Sequence, residues 1–511
     1  MAFPAGLRVV LVKPSKYSGQ GGVLERFRLG CMPNGTLPHL RSLTPPNVEG
    51  VPVTAECFDE CVETDLGYLR RLAPTQGERT LVALVGVQSH QFPRAIDLAA
   101  IAHTRGALVV MGGPHPMTCD THALQGRGPS FCQGEAEATW PGILADALRG
   151  ELRPVYGEDA RWQTELRPPP VEPLEPRQMR RYALRLGALY PARGCPFDCH
   201  FCSVVRIAGR TVRAQPIETT LAGLRAIRRA GVRVLMFTSD NFNKYPGVTE
   251  LLEAMIAADL RVPFMAQADA QLVRDPSLVE LLARAGCFQL FVGVESFSHA
   301  ALRGVGKRHN RPEDYRELAR HCRAHGVLSH FSSILGFPDD DRRRLAEHRA
   351  AIEAVGPDLA SFHVLTPLPG TTQYEDFRAR GLLVDRDLGR YDATRLVWRH
   401  PHLDAQELDD ALFGAYRSFY RPARIGALVR NALARRRDVR VHGYTLSAVY
   451  AAFCRTAAHL RLHPMSAGLG RVRLDRASDH AEVRRVVFGI DRVPLPENLP
   501  QPKPHKGALR A

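Results

Sequence analysis

Unbroken apolar runs, not alternating ones, mark the first third of the chain. LRVVLVKP, TLVALVGVQS and ALVVMGGP are apolar and rich in β-branched residues. This is the pattern of parallel strands covered by helices on both faces. Between the last two, FPRAIDLAAIAHTRG has apolar residues at helical spacing and ends at a glycine. The alternation predicts an α/β, Rossmann-like domain over residues 1–150, with its ligand site beyond the C-terminal strand ends. RPPPVEPLEP then breaks the rhythm, so residues 151–185 read as a Pro-rich linker. From Leu186 six further strands are expected: LGALYP, VRVLMFTS, VPFMAQA, FQLFVGVES, SHFSSILGF and LASFHVLTP. Helical segments lie between them, which predicts a partial (β/α)6 TIM-type barrel over residues 186–378. The active site of such a barrel lies at its C-terminal strand ends. Polar residues gather there: Ser239 and Asp240, Gln267 and Asp269, Glu295 and Ser296. DAQELDDALFGAYRSFY opens a helical C-terminal domain over 379–490, and residues 491–511 are expected to form a disordered tail.

Composition narrows the class. With 45% apolar and 24% charged residues the 511-residue chain reads as soluble and globular. No apolar run is long enough to cross a bilayer, and the first residues lead straight into a strand without a signal-peptide pattern. A cytoplasmic location is therefore expected. The net charge of +15 comes from arginines spread over most helices, with no basic block longer than that in ARRR. Dispersed charge of this kind marks a solvated face, and nucleic acid is not the expected partner. Eleven cysteines, an odd number, favour a metal site over a disulfide framework.

Three of them stand together. RGCPFDCHFCS, from Arg193 to Ser203, carries Cys195, Cys199 and Cys202. Two thiols suggest a redox pair and four close a tetrahedral site, whereas three leave one position open. Zinc would need a fourth ligand such as His200. A 4Fe-4S cluster held by three thiolates would keep one iron free for a small molecule.

C-x-x-x-C-x-aromatic-C after the first barrel strand, with Phe201 before the third cysteine, resembles the radical S-adenosylmethionine (SAM) superfamily. The resemblance implies that Cys195, Cys199 and Cys202 hold a 4Fe-4S cluster whose open iron chelates SAM. FTSDNF resembles the second-strand motif near the methionine amine, which implicates Ser239 and Asp240, although the usual Gly-Gly-Glu is absent. GVES resembles the ribose-binding motif and implicates Glu295 and Ser296. SSILGFP resembles the segment against adenine, and Gln267 is placed to face SAM or substrate.

VGVQSHQFPRAIDLA, VVMGGPHP and QGEAEATW resemble the cobalamin-binding domain that precedes many such barrels. The resemblance assigns Ser89, Gly112, Gly113 and Gly134 to cobalamin, the glycines for close backbone approach and Ser89 for a bond to the nucleotide tail. The loop after the first strand, KPSKYSGQGG, lacks the histidine that ligates cobalt in other cobalamin proteins. DTHALQ only imitates that motif. LTPLPGTTQYEDF and VWRHPHLDAQEL resemble post-barrel segments of cobalamin-dependent methylases, the hopanoid methylases among them. Methyl transfer to an unactivated carbon of a small-molecule or lipid substrate is implied, with SAM used both as methyl source and as radical source. An electron donor such as flavodoxin or ferredoxin is implied as well. Radical cyclisation or rearrangement, or a non-catalytic cobalamin sensor, are the alternatives. Cys31, Cys57 and Cys61 would suit a second cluster, as in methylthiotransferases, but the helical C-terminus and GGPHP do not match that group. His90, at the strand end beside the expected corrin face, is a candidate to line the reaction chamber. His115 and His363 also sit at strand ends. A loop histidine is more often structural than catalytic, so none of the three is assigned a role.

Overall fold

The computed structural model describes residues 4–18, 23–63, 65–159, 161–163, 165–169, 171–464, 469–474 and 478–500. Gly6–Lys13 is the centre of the first sheet and is buried at every position. It pairs in parallel with Val51–Asp59 and with Glu78–Leu84. Leu108–Gly112, Pro129–Cys132 and Val155–Tyr156 follow in parallel, and Asn47–Val48 closes the far edge antiparallel. The central strand shows why the run is apolar throughout. Leu7, Val9 and Leu11 pack under helices Thr36–Leu43 and Ala136–Arg149, while Val10 and Val12 pack under Phe92–Thr104. Successive side chains alternate faces, so a sheet covered twice needs an apolar residue at every step.

The second sheet has six strands in chain order: Gly187–Leu189, Leu235–Phe237, Phe264–Ala268, Cys287–Glu295, Leu328–Leu335 and Leu359–Val364. All neighbours are parallel. Helices Ile217–Arg229, Val248–Ala257, Pro276–Ala285, Tyr315–Ala324 and Arg342–Val355 connect them. The last strand is an open edge, and two tyrosines cover it. Tyr416 Oη donates to the Phe362 carbonyl (3.2 Å) and accepts from its N–H (3.1 Å). Tyr420 does the same to Ala360, at 2.7 and 3.0 Å. An unpaired strand edge is thereby satisfied without another strand.

Helix Val441–His459 enters from the N-terminal ends of the strands. Arg440 donates to the carbonyls of Cys287 and His325, and Tyr444 to that of Gly326. Ser447 then bonds Gln289, Gln289 meets His330, and His330 meets Ser361, which meets Tyr450. This buried chain fills the floor of the barrel, so access is left to the opposite mouth.

Three expectations change. Residues 151–185 are not a free linker. Val155–Tyr156 extends the first sheet, and Leu166, Val171, Leu174, Met179 and Tyr182 are buried. Proline brings no amide to satisfy, so such a stretch can be packed as a strap. The 379–490 region is not one helical domain. Helices Ala405–Phe419, Pro422–Ala434 and Val441–His459 share the barrel's core, whereas Leu469–Leu474 is a strand paired with Val23–Leu29, and Ser478–Phe488 packs on Phe92–Thr104. Residues 491–500, placed by sequence in the disordered tail, hold fixed contacts. Tyr374 Oη donates to the Pro496 carbonyl, and the N–H of Leu499 donates to Thr118. Low-complexity composition hides such backbone pairing. The remaining tail residues, 501–511, lie outside the described ones.

Candidate functional site

The cysteine loop leaves the first barrel strand at the mouth and is built by its neighbours. Gly194 has φ +102, and a Cβ there would stand 2.3 Å from the Thr211 carbonyl oxygen, so glycine is required before Cys195. Asp240 Oδ2 accepts the Gly194 N–H at 2.8 Å, and Ser239 Oγ accepts that of Ala192 at 3.2 Å. These two second-strand residues therefore hold the loop from below. The N–H of Cys202 donates to the Cys199 carbonyl (3.0 Å) and closes the turn. Phe197 stacks on His309 at 3.5 Å, and the N–H of His200 bonds Val305. The His200 ring is exposed and lies against Gly306.

All three thiols are half-buried. Burial pushes Cys199 up to about 11 and Cys202 up to about 12, with Lys307 opposing the shift in both. Cys195 is raised for the same reason. Buried thiols of this kind give up their protons when a cation takes the protons' place. Among the described residues no three His, Cys, Asp or Glu side chains gather at the distance of one metal ion. Three thiolates on one short loop are the soft donors that iron–sulfur clusters take.

Lys307 stands beside the loop. Its Nζ donates to Glu295 Oε1 at 2.8 Å and lies 5.8 Å from the centre of the Phe201 ring. Glu295 ends the fourth strand at a register shift and adopts φ +62, a conformation that costs a non-glycine residue about 1–3 kcal/mol. Ser296 is buried, and its hydroxyl accepts the Ser298 N–H. Gln267 is half-buried near the end of the third strand, between the buried Ala266 and Ala268. Pairing aligns it with Phe291, also half-buried, and these positions face the lumen.

A cavity of about 250 Å³ lies between the C-terminal ends of the first sheet and the barrel mouth. Gly112, Gly113 and Gly134 line it, as do Thr36, Arg193 and Asp240. Gly113 is obligatory, with φ +130 and a Cβ position 2.2 Å from the Val87 nitrogen. At Gly112 a Cβ would meet only ordinary contact, 3.5 Å from Cys132 Cβ. Ser89 is not among the lining residues. Its hydroxyl pairs with His115 Nδ1 at 3.0 Å, and the His115 ring packs on Phe92. His115 is buried, and its pKa is pushed down to about 3 by that burial. His90 is likewise pushed down to about 3, by burial and by Lys16. His363 lies 5.2 Å from His463.

Sequence reasoning missed the charged bridge beside this cavity. Glu137 Oε1 accepts from Arg193 Nη2 at 2.5 Å and lies 2.8 Å from His39 Nε2. Glu135 accepts two bonds from Arg213, at 2.7 and 2.8 Å. Both arginines belong to the hairpin that carries the cysteine loop. The signal was present in GEAE, where two acids stand at a helix start next to a glycine.

The family profile described as "Radical SAM superfamily" matches residues 189–352. The bacteriochlorophyllide d C-12(1)-methyltransferase of Chlorobaculum tepidum is 28% identical over 331 residues, 63% of this chain and 71% of that protein. The hopanoid C-3 methylase of Methylococcus capsulatus is 28% identical over 361 residues, 66% and 68% of the two chains. Among solved structures, the radical S-adenosylmethionine methyltransferase TsrM from Kitasatospora setae, with cobalamin and a [4Fe-4S] cluster, aligns with a TM-score of 0.56 at 17% identity. It covers 74% of this chain and 79% of its own. The cobalamin-dependent radical enzyme OxsB aligns with a TM-score of 0.58 at 14% identity over 95% of this chain and 79% of its own. These two likenesses concern the fold: an α/β domain ahead of a partial barrel.

Proposed function

We propose that this protein, whose residues 189–352 are a radical SAM domain, is a cobalamin-dependent C-methyltransferase acting on an unactivated carbon of a small-molecule or lipid substrate. One observation carries the reading. Three thiols at the barrel mouth stand on a loop tied directly to a glycine-lined cavity in the preceding domain. The kind of relative supports it, since both curated proteins named above are methylating enzymes.

Cys195, Cys199 and Cys202 would hold a 4Fe-4S cluster, the lumen side of the mouth would hold SAM, and the inter-domain cavity would take part of cobalamin. Bound together, these groups supply a carbon-centred radical and a methyl donor. The chain's own residues do the rest. Asp240 and Ser239 fix the loop's height above the second strand. Lys307, held by Glu295, would offer positive charge to the Cys199 and Cys202 thiolates. Gln267, on the lumen side, is free to orient a bound polar group. Gly113 lets its loop pack against the Gly86 and Val87 backbone and so shapes the cavity wall. The floor formed by Gln289, His330, Ser361 and Tyr450 closes the opposite end, so substrate and ligands share one entrance. A low-potential one-electron donor would serve the thiol face.

Anaerobic reconstitution followed by iron, sulfide and corrinoid analysis tests the reading. About four irons and one corrinoid per chain, with SAM-dependent release of deoxyadenosine, are expected. Iron without corrinoid would remove the methyltransferase reading and leave the radical one. A product heavier by one methyl group separates methylation from cyclisation.

A further inference from the structure

Away from the cysteine loop, helices Pro422–Ala434 and Val441–His459 form a hairpin across the N-terminal end of the barrel. Seven large hydrophobic residues are exposed among the described residues, and five belong to this hairpin or its ends: Val429, Leu433, Val439, Val449 and Leu460. In helix Pro422–Ala434 only Leu428 is fully buried. Val429 and Leu433, four residues apart, share one exposed face, while Ile425, one turn earlier, is half-buried against the barrel's core. A helix that serves only to pack its own core turns such a face inward.

The charge beside this face is one-sided. Residues 421–440 contain seven arginines and a single acid, Asp438, which is engaged by Arg440 at 2.8 Å. Arg430, Arg436 and Arg437 are exposed and meet no acidic side chain among the described residues. A groove of about 610 Å³ adjoins them, with Arg323, Arg421, Arg424 and Arg435 in its wall. An exposed apolar face flanked by unpaired guanidiniums is the arrangement of a helix that lies in a lipid interface.

We propose that this hairpin docks on an anionic lipid surface. Val429 and Leu433 enter the boundary between headgroups and acyl chains, and the arginines meet the lipid phosphates. Two other occupants fit less well. A second copy of the chain, paired by a two-fold axis, would set two arginine clusters against each other. A nucleic-acid backbone would answer the charge but give nothing for the exposed valine and leucine. Two apolar side chains alone bind a membrane weakly, so the arginines must supply much of the affinity. The proposal rests on no part of the catalytic reading.

Co-sedimentation of the full chain with vesicles tests it. Vesicles of phosphatidylcholine and phosphatidylglycerol in equal parts should carry the protein down, and pure phosphatidylcholine should not. Replacing Arg430, Arg436 and Arg437 together by glutamine should weaken binding by roughly a hundredfold. Val429→Asp with Leu433→Asp should abolish it. All five side chains are exposed, so retained circular dichroism is expected and distinguishes lost binding from lost fold. The proposal is overturned if the wild-type chain stays in solution, or if either variant sediments as the wild type does. It is overturned as well if light scattering shows a dimer that the Val429/Leu433 variant breaks. Duplex DNA bound as tightly as the vesicles and untouched by that variant would assign the patch to nucleic acid instead.

Discussion

Glu137→Gln probes how the first domain is registered on the cysteine loop. The carboxylate is 5% exposed and takes two bonds from Arg193, at 2.5 and 3.0 Å, with His39 Nε2 at 2.8 Å on its other side. Glutamine keeps the volume and removes the charge. Arg193 then keeps Glu135, at 3.4 Å, as its acidic partner. Breaking a buried pair by removing one partner costs about 3–5 kcal/mol. The remaining Glu135 contact places the expected loss near the lower end, about 3 kcal/mol. A pH signature separates this from a general packing defect. Burial alone would raise the Glu137 pKa, but His39 and Arg193 hold it well below its usual 4.5. A carboxyl depressed on folding adds stability above its unfolded pKa and loses it as pH falls toward the folded value. The stability gap between wild type and variant should therefore be full above about pH 5 and shrink below about pH 4. Urea unfolding at several pH values measures the gap. Corrinoid retention on the same samples reports whether the cavity survives. A gap that is absent at pH 7, or that is unchanged on acidification, refutes the assignment of register to this pair.

Lys307→Met should leave Glu295 buried, uncompensated and still at positive φ, costing about 3–5 kcal/mol, with reduced iron content after reconstitution. Gly113→Ala meets the Val87 nitrogen and should lower corrinoid retention severely while iron content stays near wild type. Tyr420→Phe should cost about 1–3 kcal/mol by orphaning two buried backbone groups of the edge strand, and hydrogen exchange at the Ala360 amide should quicken.

The barrel was legible because each of its strands is a short apolar run closed by helical spacing, a pattern set by local chemistry. The cysteine triplet was legible because its spacing alone marks an open coordination position. What sequence reading could not supply was partnership at a distance. Asp240 is expected near SAM from its motif, and its carboxylate also holds the Gly194 amide, a contact across 46 residues. Ser89 looked like a ligand for the nucleotide tail, and its hydroxyl is occupied by His115. Strand Leu469–Leu474 was read as part of a helical region because its partner, Val23–Leu29, lies more than four hundred residues away. The Pro-rich strap and residues 491–500 failed for a related reason. Their backbone partners are tertiary, and composition carries no trace of them.

Those distant pairings share a purpose. Chemistry divided between two domains needs their reacting groups in line within a fraction of an ångström, and interfaces between domains move unless something holds them. Here the interface is held at separate points. Lys16 of the first domain meets Asp392 after the barrel at 2.5 Å, both side chains buried. Arg193 meets Glu137 at the cavity. Residues 491–500 lie across the seam: Glu497 O accepts from Asp120, Asn498 Oδ1 accepts from Gly370, and Leu499 O accepts from Arg206, in the helix that follows the cysteines. The preceding helix is anchored in turn, with Arg484 on Asp97 at 3.0 Å and Phe488 buried against the first domain. The C-terminal segment therefore returns to both halves of the site. A rotation between the domains would have to break buried ion pairs and this strap together, so the cysteine loop and the glycine cavity move as one body.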